Sequence, residues 1–183
     1  MVEVTVHDVL FRVPKGAAVQ WPQDAAKLGR MATVVLKECE GEHYLSIWVG
    51  LPEAIAIAQP LAAVVPPRPL THDLIARLVE VSASRVEKMA VTKLHDRIFY
   101  ATLWERAGAH IHEVDAQPSD TINLALRMRA PLFVDPAVFA RASLSPESVL
   151  PEADAQYRFI MHTDDDPQAG ITVVPFPIPS VTL

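Results

Sequence analysis

Val2, Val4 and Val6 alternate with Glu3, Thr5 and His7, the period of two that turns one face of a strand toward a core. A first strand is expected over residues 2 to 11. From Pro14 to Arg30 the pattern dissolves into Pro, Gly, Ala and polar positions, which predicts a long connection packed down by Trp21. Two β-rich runs, residues 32 to 39 and 43 to 49, flank Glu40-Gly41-Glu42 and predict a hairpin. Leu51-Pro52-Glu53 then opens an Ala- and Ile-rich segment reaching Ala63. It is apolar on every face, the mark of a buried helix, and Glu53 falls in its first turn.

After the extended connector Val64-Val65-Pro66-Pro67, Thr71 is the expected N-cap of a second helix that runs to Ser82. Asp73 suits its first turn, and Leu74, Ile75, Leu78 and Val79 form its apolar face. Strands follow over residues 85 to 93, 97 to 105 and 110 to 115, with turns at His95-Asp96 and Ala107-Gly108. The middle strand is apolar on both faces, which predicts a central position covered from both sides. Pro118 suits the first position of a helix because it has no N–H to lose there. A short strand at residues 131 to 134 and a helical turn or two from Pro136 to Arg141 complete the body.

Composition then sets the boundaries. The 183 residues are 50% hydrophobic and 21% charged, which suits one ordinary domain with room for a tail. No window is long and apolar enough to span a bilayer, and the start lacks a signal-peptide pattern, so a cytoplasmic protein without membrane attachment is expected. The lone Cys39 lacks a partner for a disulfide or a structural zinc site and reads as a buried or inert thiol. The formal charge of −6 is unevenly placed. Residues 1 to 142 hold 16 acidic and 15 basic side chains, net −1, whereas residues 143 to 183 hold 6 acidic and 1 basic, net −5. A body without basic surplus argues against extended duplex binding and leaves room for a small catalytic site. Residues 143 to 183 also hold 6 of the 16 prolines, with an acidic run at Asp164-Asp165-Asp166, and read as an appended extension.

The chemistry that stands out is acidic. Glu53, Asp73 and Asp120 each fall in a helical first turn, and Asp115 and Ser119 sit beside Asp120 where a strand meets the Pro118 helix. The helix dipole alone accounts for such carboxylates one at a time. Convergence of all of them with His72 would instead make a pocket for Mg²⁺ or Mn²⁺, hard cations that take oxygen ligands and can polarise a phosphodiester. His72 at the positive end of a helix is either a neutral general base or a hydrogen-bonded residue holding the Pro69 turn. Arg68 is placed to clamp a phosphate or to pair with Asp73. Ser119 has no nucleophile-elbow or Ser-x-x-Lys setting and reads as a capping hydroxyl. His110 and His112 share one strand face, either as a metal pair or on a solvent-facing edge. Six glycines without a phosphate-cradling cluster argue against a nucleotide cofactor on a P-loop or dinucleotide fold.

Several blocks in order resemble the bifunctional nuclease domain family of bacteria and plants. They are Ile47-Trp48-Val49-Gly50 with Glu53-Ala54, Arg68-Pro69-Leu70-Thr71-His72-Asp73-Leu74, Phe99-Tyr100-Ala101-Thr102-Leu103, Asp115 with Pro118-Ser119-Asp120, and Ala130-Pro131-Leu132-Phe133-Val134. The resemblance implies an α+β fold in which a mixed, largely antiparallel sheet packs with three main helices over residues 1 to 142, followed by the acidic Pro-rich extension 143 to 183. It implies a homodimer and, as for some members, nuclease activity on DNA and RNA. It carries Glu53, Arg68, His72, Asp73, Asp115, Ser119 and Asp120 over as motif positions. Gln117 stands where the family usually has arginine, which removes a bidentate phosphate partner. Two functions follow as expectations. One is a metal-assisted phosphodiesterase with Glu53, Asp115 and Asp120 as ligands, His72 as base and Arg68 on the phosphate. The other is a non-enzymatic regulatory or anion-binding dimer.

Overall fold

The computed structural model describes residues 1–12, 19–21, 30–145, 156–160 and 171–175. Most of the connection expected from Pro14 to Arg30, the Asp164–Asp166 run and the chain after Pro175 lie outside the described residues. The strands are β1 (Val2–Arg12), β2 (Val19–Trp21), β3 (Met31–Glu38), β4 (Tyr44–Gly50), β5 (Arg85–His95), β6 (Ile98–Ala107), β7 (His110–Ala116), β8 (Leu132–Val134), β9 (Ser143–Leu144), β10 (Gln156–Ile160) and β11 (Ile171–Pro175). The helices are α1 (Leu51–Leu61), α2 (Thr71–Val81), α3 (Pro118–Met128) and α4 (Pro136–Ala142).

This is an α+β fold built on one mixed sheet. Strands β4, β3, β1, β8, β5, β6 and β7 pair in that order, and only the β8–β5 pairing is parallel. At the β4 edge the sheet is extended by β9. Strand β10 pairs with Leu10–Arg12 of β1, β11 with β10, and β2 with β11. The alternation in β1 holds through Val6, with Val4 buried, and a register shift between Val6 and Asp8 then changes its phase so that Val9 and Phe11 are buried. The β3–β4 hairpin forms around Glu40–Glu42, closed by the Glu38 N–H donating to the His43 carbonyl at 3.0 Å.

Helices α1 and α3 lie against each other and close the core, which gathers Leu36, Leu45, Ile57, Met89, Ile122 and Val134. Removing such a side chain from water stabilises the fold by roughly 1.5–3 kcal/mol each. Helix α3 ends at Arg129 in the left-handed region, φ 51°, and the Ala130 N–H returns to the Ala125 carbonyl at 3.1 Å, a cap in which glycine is the usual residue.

Four expectations change. Leu70, not Thr71, is the N-cap of α2, and the Asp73 carboxylate accepts the Leu70 N–H at 2.8 Å, satisfying an orphan donor without a cap hydroxyl. The apolar stripe of α2 does not enter the core: Leu74, Ile75 and Leu78 are exposed and Ala76 alone is buried in that helix. Helix α2 contacts the molecule chiefly through α3, so its stripe turns outward. Strand β6 is central in pairing but covered on one face only, since Ala101 and Leu103 are buried while Ile98 and Tyr100 are exposed. Cys39 is exposed, not buried. Partial desolvation first, and then the charges of Glu3 and Glu40, push its thiol up, which keeps it in the less reactive protonated form.

Candidate functional site: an acidic cleft at the mouths of two helices

Helices α1 and α3 both begin directly after strands, α1 after β4 and α3 one residue beyond β7. Each opens with proline in its first two positions and an acid in its first turn, Glu53 in α1 and Asp120 in α3. Both mouths open onto one cleft of about 1170 Å³, bounded by Ser46–Gly50 of β4 on one side and the β5–β6 turn and the β7–α3 junction on the other. Glu53, Asp115, Ser119 and Asp120 all line it, so the sequence places four of its seven candidates in a common wall.

Glu53 is aimed by a close approach. A methyl group added at Gly50 would stand 2.3 Å from Glu53 Oε2, so the carboxylate lies where only glycine leaves space. Asp120 is held from α2: His72 Nε2 is 3.1 Å from Asp120 Oδ1. An ionised carboxylate only accepts, so toward such a partner Nε2 is the donor. The imidazole is 12% exposed and the carboxylate 44%, so the ring lies inside and the carboxylate reaches the cleft surface. Asp115 is exposed near the end of β7.

The remaining candidates take other places. Asp73 belongs to a structural network, accepting from Arg127 Nε at 2.5 Å as well as from the Leu70 N–H. Burial by itself would raise the Asp73 carboxyl, but the Leu70 N–H, the hydrogen bond and charge of Arg127, and the nearby His72 outweigh it and hold Asp73 below the usual carboxylate range. Arg68 is exposed in the connection before α2; it neither pairs with Asp73 nor lines the cleft. The Ser119 hydroxyl does not cap α3, whose N-cap Gln117 has no side-chain cap bond. Ser119 is instead a buried second residue of the helix, and its carbonyl accepts Asn123 Nδ2 at 3.0 Å. His110 and His112 are both exposed on β7, the last strand of its end of the sheet.

Sequence reasoning missed Asn123 and Arg127, which join the three helices behind the cleft. Asn123, fully buried, donates to the Glu53 carbonyl at 3.3 Å and accepts from Arg127 Nη1 at 2.9 Å. Arg127 Nη1 also donates to the Ala56 carbonyl at 3.1 Å. The available signal was an asparagine inside an apolar helical face with an arginine four residues on, the spacing that stacks two side chains on one helix face. It missed Arg97 as well, which lines the cleft from the β5–β6 turn.

The donor chemistry suits a hard divalent cation, because three carboxylates share the cleft wall. Among the described residues, however, no three His, Cys, Asp or Glu side chains are grouped as a ready set of ligands. Mg²⁺ is commonly held by one or two carboxylates together with substrate phosphates, and Glu53 and Asp120 meet that smaller requirement in type.

Fold and cleft together define an α+β domain with an acidic site where two helices begin. The model of the bifunctional nuclease domain matches residues 34–147, and the chain belongs to that family. Two relatives come from Mycobacterium tuberculosis: Uncharacterized protein MT1877 of strain CDC 1551 / Oshkosh and Uncharacterized protein Rv1829 of strain ATCC 25618 / H37Rv. Each is 39% identical over 129 residues, covering 70% of this chain and 73% of the relative. Among the described residues, no helix is long and apolar enough to cross a membrane.

Proposed function

We propose that the cleft is a phosphodiesterase site acting on nucleic acid. The observation that carries this reading is the His72–Asp120 pair, 3.1 Å apart, in which Asp120 lines the cleft with Glu53 and Asp115 and His72 stands behind it. Asp120 fixes the tautomer of His72, and His72 Nδ1 takes the proton of the attacking water, the division of labour between an orienting acid and a base. Glu53 and Asp120, with Asp115 on the same wall, would hold Mg²⁺ or Mn²⁺ together with substrate phosphate oxygens, and the ion would polarise the phosphodiester. Ser119 shapes the wall beside Asp120. Metal-dependent cleavage of labelled DNA or RNA, lost on His72→Ala and on Asp120→Ala, tests this reading.

A second reading is a non-enzymatic dimer that binds a small anion. It is favoured by the neutral Gln117 in the cleft wall and by the absence of a three-ligand group among the described residues. Either function suits a homodimer, for which α2 offers the surface: Leu74 and Leu78, one turn apart, are each 54% exposed, and apolar patches of that kind mark association sites.

A further inference from the structure

We infer that Arg97 is the phosphate-binding side chain of the cleft and that, with Tyr100 on the same wall, it selects single-stranded nucleic acid as the substrate. The inference rests on the phosphodiesterase reading and deepens it.

Residues Asp96 and Arg97 form the two-residue loop between His95 and Ile98, which pair across β5 and β6. Their φ values are 46° and 66°, the left-handed conformations that a tight hairpin of this twist requires and that Gly or Asn enters most easily. A long cationic side chain in the second position is locally unfavourable, and among the described residues no hydrogen bond or ion pair of the Arg97 side chain offsets it. Asp96 pairs with its own neighbour His95, Nε2 to Oδ2 at 3.2 Å. Arg97 has no ion pair among the described residues and lines the cleft. Strain kept at a cleft without a structural return points to function.

Charge makes the case sharper. Arg97 is the single cation among the described residues lining the cleft, which Glu53, Asp115 and Asp120 also line. A phosphodiester entering beside three carboxylates is repelled unless a positive group meets it. A guanidinium does so with paired donors that match two phosphate oxygens. Arg68 lies elsewhere and Gln117 carries no charge, so the role falls to the hairpin tip.

The wall continues from Arg97 into Ile98 and Tyr100, which alternation places on one face of β6. Both are exposed and both line the cleft, while Lys93 Nζ stands 5.6 Å from the Tyr100 ring centroid. An exposed aromatic ring near cations is the combination that holds unpaired bases, because a splayed base can stack on the face that Lys93 does not cover while its phosphate meets the Arg97 charge. In a duplex those base faces are already stacked on one another.

The test measures affinity for a fluorescent single-stranded DNA and for the same sequence as duplex, by anisotropy across a salt series. Wild type is compared with Arg97→Gly, Arg97→Lys and Tyr100→Ala, and each is also melted. Arg97→Gly is expected to melt no lower than wild type, since glycine suits the turn, yet to bind the single strand about tenfold more weakly. Its plot of log affinity against log salt should flatten by about 0.7, the contribution of one phosphate contact on a single strand. Arg97→Lys should fall between, and Tyr100→Ala should weaken binding with the salt slope unchanged. An Arg97→Gly protein with wild-type affinity and slope, or a wild type that prefers duplex, overturns the inference while leaving the phosphodiesterase reading intact. A wild type that neither binds nor cleaves nucleic acid overturns that reading and this inference with it.

Discussion

Arg127 and Asp73 meet across the α2–α3 contact with Nε 2.5 Å from Oδ1, and the arginine is only 8% exposed. The pair converts a residue that looks catalytic by position into a strut. It fixes α2 against α3 and thereby sets His72, the neighbour of Asp73, against Asp120. The acids that line the cleft are Glu53, Asp115 and Asp120.

Stability should follow this pair. Replacing Arg127 by Met leaves Asp73 without its cation and Asn123 Oδ1 without its donor, and should cost about 3 kcal/mol in urea unfolding. The pH dependence has a definite sign. Asp73 is held below its ordinary value in the folded protein, so on acidification the unfolded chain takes up the proton first. The stabilisation is complete above about pH 5, declines as the pH falls through about 4, and is lost below the folded value. Arg127→Met should show a shallower acid limb than wild type over that range.

Gly50→Ala should separate activity from stability. The added methyl group clashes only with the far end of the Glu53 side chain, its contact with Pro52 Cδ at 3.8 Å being an ordinary one, and that side chain can swing away without moving backbone. Melting should therefore shift little, about 0.5 kcal/mol or less in stability, while cleavage falls at least tenfold because Glu53 no longer faces the cleft. Equal activity in Gly50→Ala and wild type would remove Glu53 from the site.

Leu74→Lys with Leu78→Lys should give a monomer in sedimentation if α2 is the homodimer surface. Both side chains are already half in water, so the folded monomer should lose less than about 1 kcal/mol. A dimer that survives the double substitution places the interface elsewhere.

The legible part of this chain was the part written in local pattern. Alternation in Val2–Val6, the Glu40–Glu42 turn and the prolines at 52, 118 and 136 each mark an element found close to its expected place. Periodicity reports that a helix has an apolar side but not what faces it, so the outward stripe of α2 was beyond it. The common wall of Glu53, Asp115, Ser119 and Asp120 came from motif order and from acids at helix starts. Arg127 was hidden because an arginine near a helix C-terminus ordinarily serves the dipole, and its partners lie 54 and 71 residues away in sequence. Arg97 was hidden because a turn residue shows its cost only once its φ is known.

The most direct measurement of the central claim is cleavage of fluorescent single-stranded DNA and RNA in Mg²⁺, Mn²⁺ or EDTA. Wild type, Asp120→Ala and His72→Ala are to be purified in parallel and checked for folding by circular dichroism. The account predicts metal-dependent cleavage by wild type and a loss of at least a hundredfold in both folded variants, in line with removal of a general base. No cleavage by wild type, or cleavage that persists equally in all three preparations, would contradict it and leave the anion-binding dimer as the function of the cleft.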